Sequence, residues 1–208
     1  MTDELLAVWQ ATPFPDLLTE AYWEGKRDFV PILGDDAAVR LAQAIVELRP
    51  KRILEIGTAI GYSGLMMLGL APEASMVTLD VDPDRLERAN DRFARAGVQD
   101  RVRVIQEDAI SFLGMTDMTF DFVLLDGPKG HYAEMTVDLL RVLSTDGRIF
   151  VDDVNYLGLV EGENEVIHKH RTIVCNMRAF VKRVKEDPSL EVRDLATSGG
   201  AMIIRKRY

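Results

Sequence analysis

The feature that most constrains the fold of this chain is the segment RILEIGTAIGYS at residues 52–63. An apolar run suited to a β-strand leads into an acid, two glycines and then the helix-forming residues 65–70. This order predicts a strand, a tight turn and a helix. Glycines at such a turn let the backbone approach a ligand, and the start of the helix offers unpaired N–H groups. The segment therefore predicts a ligand-binding turn, with a purely structural turn as the alternative.

The spacing of this turn indicates which ligand it suits. Dinucleotide-binding turns follow G-x-G-x-x-G and place a diphosphate over the helix start. This chain instead has Glu55, Gly57 and Gly61 in the order E-x-G-x-x-x-G. A carboxylate just before the turn disfavours a diphosphate. It suits a ligand with positive charge, such as the amino group or the sulfonium of S-adenosylmethionine (SAM).

Strands and helices alternate regularly after Arg52. Short apolar strands are predicted near 52–56, 76–80, 102–106, 120–126 and 147–152, and helices near 62–70, 83–96, 109–113, 133–143 and 170–186. Such alternation predicts a parallel sheet with helices on both faces. Two apolar runs, Leu190–Ala196 and Ala201–Lys206, flank a Thr-Ser-Gly-Gly turn and predict a hairpin. The expected fold class is α/β, a doubly wound, mostly parallel, seven-stranded Rossmann-like sheet that ends in an antiparallel hairpin.

Residues 1–50 are predicted to form a helical N-terminal appendage. Asp35 is expected to cap a helix whose apolar residues recur every three or four positions, at Ala38, Leu41, Ile45 and Leu48. An aromatic patch precedes this helix and consists of Trp9, Phe14, Leu17, Leu18, Tyr22 and Trp23. It indicates a helix packed on the domain or, alternatively, a substrate lid or a dimer contact. Because the chain has no repeat or clear linker, residues 1–208 are expected to form a single domain.

Composition excludes several classes of protein. The net charge of −9 provides no global basic field for nucleic acid. No apolar run approaches the roughly 18–20 residues of a membrane span. The N-terminus lacks the basic and apolar regions of a signal peptide, and the single Cys175 excludes an internal disulfide and is expected to be a packed thiol. A cytoplasmic protein without membrane contact is expected.

Acids stand at the carboxyl ends of all five predicted parallel strands, where open α/β sheets bind ligands. They are Glu55, Asp80, Glu107 with Asp108, Asp126, and Asp152 with Asp153. Asp80 lies 23 residues after Gly57 (80 − 57), where an acid can accept hydrogen bonds from both ribose hydroxyls. Asp108 with Ala109 fits an adenine-edge contact or, alternatively, a helix cap.

Asp126, Asp152 and Asp153 predict a metal site. Three carboxylates near adjacent strand ends repel each other unless a cation lies among them. Oxygen-only ligation suits Mg²⁺ or another hard divalent cation. Lys129 is predicted to be a general base, because a nearby metal and sulfonium would lower its pKa. The alternatives are a carboxylate turned away to cap or salt-bridge, and a solvated lysine.

Three motifs in this order resemble the class I, metal-dependent O-methyltransferases of the catechol and caffeoyl-CoA type. They are EIGTAIGYS at 55–63, DGPKGHY at 126–132 and DDV at 152–154. The resemblance covers roughly residue 30 to the C-terminus. Within the family it is greatest to the bacterial tRNA 5-hydroxyuridine methyltransferases, on the basis of Val30–Leu33, Gly158–Val160 and the basic helix that leads to Ser198–Lys206.

The resemblance implies an activity and a set of site residues. The activity is the transfer of a methyl group from SAM to a hydroxyl oxygen, assisted by Mg²⁺ or another divalent cation, in a protein that forms a homodimer. The implied residues are Leu33, Glu55, Gly57, Ser63, Asp80, Asp108, Ala109 and Asp126 for SAM, Asp126, Asp152 and Asp153 for the metal, and Lys129 as the catalytic base. One departure matters, because the family usually has Asp-Asn where this chain has Asp152-Asp153. A third carboxylate would make the cation a weaker Lewis acid.

The acceptor is left open between tRNA and a small molecule. From Val166 to Lys185 the chain has six Lys or Arg and no acid. On a helix, one stripe is formed by Arg171, Arg178, Lys182 and Lys185. Such a stripe can hold an RNA backbone or can simply be solvated, and the resemblance favours 5-hydroxyuridine in tRNA. A small catechol-like acceptor offers a similar pair of oxygens, and the acidic net charge favours it. A non-catalytic nucleotide-fold binding protein is the alternative from another class.

Overall fold

The computed structural model describes residues 1–160 and 168–207. Its strands are β1 (Arg52–Ile56), β2 (Ser75–Asp80), β3 (Val102–Gln106), β4 (Phe120–Leu125), β5 (Leu143–Val151), β6 (Leu190–Leu195) and β7 (Ala201–Lys206). They form one sheet in the order β3-β2-β1-β4-β5-β7-β6. Strands β1 to β5 are parallel, whereas β7 pairs antiparallel with both β5 and β6. The predicted doubly wound, mostly parallel sheet with a C-terminal hairpin is confirmed.

Helices cover both faces of this sheet. Those in the described ranges are α1 (Asp3–Gln10), α2 (Pro15–Arg27), α3 (Asp35–Leu48), α4 (Tyr62–Leu70), α5 (Pro83–Arg95), α6 (Ala109–Met115), α7 (Tyr132–Val142) and α8 (Arg171–Glu186). Strand β5 begins earlier than predicted, because Leu143 already pairs with Phe120 before an irregularity in the register. The polar residues 144–147 after Leu143 resemble a turn in sequence, so the sequence did not predict this part of the strand.

The first 50 residues are helical, as predicted, but the start of α3 differs from the prediction. Gly34 is the N-cap, and Asp35 is the first helical residue. The Asp35 carboxylate instead accepts a hydrogen bond from the Tyr22 hydroxyl at 2.9 Å and pairs with the N-terminal ammonium at 2.9 Å. The Asp35 carboxylate therefore binds a partner on another helix and does not cap α3.

Two apolar cores lie on opposite faces of the sheet. One contains Trp9 and Tyr62 from the N-terminal side of the chain, and the other contains Tyr132 and Phe180. Trp9 and Tyr22 are buried, so this part of the aromatic patch packs on the domain, whereas Trp23 is exposed. Burying one such large side chain contributes about 1.5–3 kcal/mol. The sheet therefore lies between two packed apolar cores.

Two further observations concern the surface. Cys175 is exposed, so its prediction as a packed thiol is wrong. It lies next to Val174 on α8, but Val174 faces the core and the thiol does not. Across the described ranges 1–160 and 168–207, no helix combines the length and the apolar character needed to cross a membrane.

Candidate active site

A cavity of about 550 Å³ opens at the carboxyl ends of β1 to β4. Its volume lies within the range of small-molecule sites. Among the predicted site residues, those that line it are Gly57, Asp80, Asp108, Ala109, Asp126 and Lys129. Those that do not line it are Leu33, Glu55, Ser63, Asp152 and Asp153. The structure thus brings most of the cofactor set and the predicted base together around one space.

The loop between β1 and α4, residues 57–61, forms one wall of this cavity. It contains three left-handed residues, with φ values of +107° at Gly57, +44° at Ala59 and +79° at Gly61. A side chain at Gly57 would place its Cβ 2.3 Å from the main-chain oxygen of Asp126, so only glycine fits there. The Ala59 N–H donates to Asp80 Oδ2 at 2.8 Å. The loop is therefore fixed in shape by the protein itself, and we call it the glycine loop.

Glu55 lies behind the glycine loop rather than in the cavity. Its carboxylate is fully buried and accepts hydrogen bonds from Ser63 Oγ and Thr78 Oγ1, each at 2.5 Å. Burial raises the pKa of Glu55 to about 7, although both hydroxyl donors act to lower it. The sequence argument that this carboxylate faces a cationic ligand does not hold for its position. Asp80 and Asp126 supply the acidic lining instead.

The predicted ribose and adenine residues stand on neighbouring strand ends. The Asp80 carboxylate also accepts a hydrogen bond from the Asp82 N–H at 3.1 Å. Asp108 accepts one from the Ser111 N–H at 2.9 Å, so it caps α6 while it lines the cavity. The cap and the predicted ligand contact are therefore compatible. Leu33 is buried in the core.

Lys129 lies between two carboxylates at the ends of β4 and β5. Its Nζ is 3.4 Å from Asp126 Oδ1 and 3.5 Å from Asp153 Oδ2, and its side chain is 16% exposed. Burial lowers the pKa of Lys129, but Asp126, Asp153 and Asp152 together raise it by more, so the net shift is upward. The reading of Lys129 as a solvated lysine does not fit this position. The lysine is an ammonium while these carboxylates carry their charge.

The carboxylates themselves are crowded. Burial raises the pKa of Asp126 despite the opposing charge of Lys129. Burial and the Asp126 charge raise the pKa of Asp152 to about 7. Asp153 has a φ of +52°, a left-handed conformation that Asp and Asn adopt more readily than other residues with a side chain. The backbone at this position therefore accepts either residue type.

The carboxylate set fits a divalent cation by its chemistry but not by its present arrangement. Three carboxylates are suitable oxygen donors for Mg²⁺. Within residues 1–160 and 168–207, however, no three Asp, Glu, His or Cys side chains converge closely enough to hold a metal ion. The ammonium of Lys129 lies between Asp126 and Asp153 instead. The assignment of Asp126, Asp152 and Asp153 as metal ligands stays a prediction that requires these side chains to draw together.

The segment after Asp153 and helix α8 border the same end of the sheet. Arg178 donates from Nε to the Val160 oxygen at 3.0 Å and from Nη2 to the Leu159 oxygen at 2.9 Å. Lys185 pairs with Asp194 at 2.7 Å. Two members of the predicted basic stripe therefore bind the protein, while Arg171 and Lys182 are exposed. Val166 and Ile167, where the acid-free segment begins, lie outside the described residues.

Sequence reasoning missed some cavity residues. Pro31 and Arg85 line it, and Arg85 pairs with Asp82 at 3.2 Å. The signal for Arg85 was its place in the first turn of the helix that follows Asp80 and Asp82. His131 also lines the cavity, and its Nδ1 lies 3.2 Å from Glu134 Oε2.

Comparison with known proteins gives consistent matches over nearly the whole chain. Residues 33–207 match the protein family described as O-methyltransferase. Catechol O-methyltransferase B of Danio rerio is 35% identical over 175 residues, which are 79% of this chain and 66% of that protein. Caffeoyl-CoA O-methyltransferase of Populus kitakamiensis is 28% identical over 174 residues, which are 80% of this chain and 74% of that protein.

Solved structures give the same picture. The SAH-bound methyltransferase PaMTH1 of Podospora anserina superimposes with a TM-score of 0.81 at 28% identity. The superposition covers 94% of this chain and 89% of that one. All the predicted site residues lie between Leu33 and Asp153, inside the range that matches the family.

Proposed function

The chain belongs to the O-methyltransferase family and is a SAM-dependent O-methyltransferase, and from this premise we propose that its acceptor is a small catechol-like molecule. The observation that carries the proposal is the position of Lys129, which lines the cavity and lies within 3.5 Å of carboxylates on two strand ends. Lys129 could accept a proton once a cation among these carboxylates lowers its pKa, and the carboxylate oxygens beside it are donors of the type that such a cation prefers. A catechol-like acceptor is proposed because it could place one of its two neighbouring oxygens near Lys129 and the other near these carboxylates.

The cofactor half of the cavity offers groups for each part of SAM. The glycine loop allows close backbone approach. Asp80 is proposed to bind the ribose, and Asp108 with Ala109 is proposed to contact the adenine edge; all three residues line the cavity. The carboxylate of Asp126 adds negative charge on the side of Lys129. SAM supplies a methyl group on a positively charged sulfur.

Lys129 is proposed to take the proton from the acceptor hydroxyl as the oxygen is methylated. Asp126, Asp152 and Asp153 would hold a divalent cation once their side chains draw together, and the cation would supply Lewis-acid activation of the acceptor hydroxyl. It would also balance the carboxylates that otherwise raise the pKa of Lys129. Fixing the acceptor in line with the methyl group can recover roughly 7–11 kcal/mol of the barrier.

The size of the acceptor is proposed from two observations. Catechol, caffeoyl-CoA and flavonoid acceptors appear in the names of the relatives. Of the basic stripe, Arg178 and Lys185 bind groups of the protein itself, which leaves less positive surface for an RNA backbone.

A tRNA carrying 5-hydroxyuridine is the second candidate acceptor. The observation in its favour is that α8, which bears the exposed Arg171 and Lys182, packs against the turn Lys129–His131. A basic surface therefore adjoins the proposed site of chemistry, where it could contact RNA phosphates.

One comparison of substrates tests these two acceptors. Methylation of 3,4-dihydroxybenzoate and of an anticodon stem-loop with 5-hydroxyuridine is measured by mass spectrometry, for the native protein and an R171A/K182A variant. The proposal predicts methylation of the small catechol at equal rates by both proteins. Methylation of the stem-loop alone, with loss in the double variant, would replace it with the tRNA function.

The homodimer is also proposed rather than observed. The exposed Trp23 and Phe29 near the N-terminus provide apolar surface for such a contact. Sedimentation equilibrium of the native protein and of a W23A/F29A variant tests it, with a dimer expected only for the native protein.

A further inference from the structure

Arg92 is a buried, charged residue that is not among the site residues described above. It lies on α5, and its side chain is 2% exposed. One guanidinium nitrogen, Nη1, donates to the main-chain oxygen of Ile60, and Nη2 binds the carboxylate of Glu24. Its Nε is buried without a hydrogen-bond partner in the described residues. A buried charge of this kind needs close pairing to be tolerated.

The Ile60 oxygen belongs to the glycine loop. This loop holds three left-handed residues, so its conformation must be maintained by contacts around it. On one side, Asp80 accepts the hydrogen bond of the Ala59 N–H. On the other side, Arg92 donates to the next residue, Ile60. The loop is therefore held between an acid at the cavity and an arginine behind it.

Glu24 connects this arginine to the N-terminal helices. It lies on α2, ahead of residue 33, where the match to the family begins. Its carboxylate also accepts from Arg88 Nε at 2.5 Å. A second contact from the same region joins Trp9 Nε1 to the hydroxyl of Tyr62, the first residue of α4, at 3.3 Å. The N-terminal helices thus reach both Ile60 and the start of the following helix.

We propose that the Glu24–Arg92 pair positions the glycine loop for SAM, so that α2 contributes to SAM binding through Glu24. Glu24 and Arg92 are positioning residues that act through the Ile60 carbonyl. Neither of them lines the cavity. The inference concerns SAM binding and holds for any acceptor.

The physical consequence of losing Glu24 follows from the burial of Arg92. Removing Glu24 takes away the close partner of this buried charge and leaves only the carboxylate of Glu20, 4.0 Å from Arg92 Nη2, which is unfavourable. The guanidinium would then turn toward water and release the Ile60 oxygen. A loop freed in this way must be ordered again when SAM binds, and that ordering weakens the affinity.

A neighbouring ion pair provides a matched control. Arg95, three residues after Arg92 on α5, binds Glu20 on α2 at 2.5 Å. This pair joins the same two helices but is exposed and does not touch the glycine loop, although Glu20 also lies 4.0 Å from Arg92 Nη2. An R95M variant therefore loosens the contact between α2 and α5 without removing a bond to Ile60.

The test measures SAM affinity by isothermal titration calorimetry, without acceptor, for the native protein and the variants E24A, R92M and R95M. E24A and R92M are expected to raise the Kd for SAM about tenfold, a usual size for coupling between sites. R95M is expected to change it less than about twofold, because exposed ion pairs contribute little. The turnover number at saturating SAM should stay near the native value in E24A, since only binding is weakened.

E24Q keeps the proposal testable if R92M fails to fold. Glutamine retains a hydrogen-bond acceptor for Arg92 but loses the charge, so a Kd between those of the native protein and E24A is expected. A Kd for E24A within about twofold of the native value, as for R95M, would overturn the proposal. Because no acceptor is present, a wrong acceptor assignment cannot produce that result.

Discussion

The two halves of the strand-end site differ in how their charges are satisfied. At the ends of β1 to β3, Glu55, Asp80 and Asp108 accept hydrogen bonds from hydroxyls and backbone N–H groups of the protein. At the ends of β4 and β5, the three carboxylates of Asp126, Asp152 and Asp153 interact with the ammonium of Lys129. The carboxylates of the proposed cofactor half are therefore hydrogen-bonded within the protein as folded. The acceptor half carries an excess of negative charge that a bound cation would balance.

The largest expected effect is in the acceptor half. Replacing Lys129 with methionine removes the proposed base and is expected to lower kcat by about 10²–10⁴-fold, the usual contribution of such a group. SAM affinity should change little, since the glycine loop and Asp80 remain. A K182M variant, which removes an exposed lysine, is the control. Methylation by K129M at more than about a tenth of the native rate would contradict the assigned role.

In the cofactor half, Glu55 is expected to make the free energy of unfolding depend on pH. The pKa of Glu55 rises from 4.5 to about 7 on folding. Between these values the unfolded chain ionises while the folded protein keeps the proton. Stability from this group is therefore present below about pH 4.5 and is lost as pH rises toward 7, by roughly 3 kcal/mol.

An E55Q variant isolates this contribution, because Asp152, with a pKa of about 7, adds a slope of the same sign in both proteins. Urea unfolding between pH 4.5 and 7 should give a shallower fall in the free energy of unfolding for E55Q than for the native protein. Parallel curves would show that Glu55 is ionised in the folded protein.

A smaller effect is expected when individual carboxylates are changed. D152N should weaken the apparent Mg²⁺ affinity by about 10–100-fold, as is usual when the surroundings of a metal are altered. D153N should have less effect, because asparagine accepts the left-handed backbone at this position and is the usual residue there in the resembled family. Titration of the methylation rate with Mg²⁺ measures both. Equal losses of Mg²⁺ affinity in D152N and D153N would contradict the predicted difference between Asp152 and Asp153.

The smallest effect is expected at the edge of the acceptor half. R178A removes two hydrogen bonds to the residues 159 and 160 and should raise the KM for the acceptor roughly three- to tenfold, with SAM binding unchanged. R171A, also on α8, is the control and should leave the KM unaltered. If both variants lose only RNA binding, Arg178 acts as part of a basic surface and not as an anchor.

Much of the fold could be predicted from the sequence, because the alternation of apolar strands and helices fixes a parallel sheet and the edge where its acids meet. The glycine spacing likewise predicted the tight turn at Gly57. The orientation of Glu55 could not be predicted, since it depends on Ser63 and Thr78, which come from two other elements. The same holds for Asp35, whose partner is on a separate helix.

Arg92 was a different kind of omission. It lies in a highly charged helix, where an arginine is normally assigned to solvent. Its spacing from Leu86 and Ala89 places it on the apolar face of α5, beside Phe93. That position indicates from the sequence that Arg92 is buried. The sequence does not indicate its partners, Glu24 and Ile60.

One single-turnover measurement tests the contrast between the two halves most directly. Protein loaded with methyl-labelled SAM is mixed with a catechol acceptor, either in EDTA or with excess Mg²⁺, and the labelled product is followed by rapid quench. We predict that SAM stays bound to the protein in both conditions, while the methylated product forms about a hundredfold faster or more with Mg²⁺. Equal rates of product formation in EDTA and in Mg²⁺ would contradict the account.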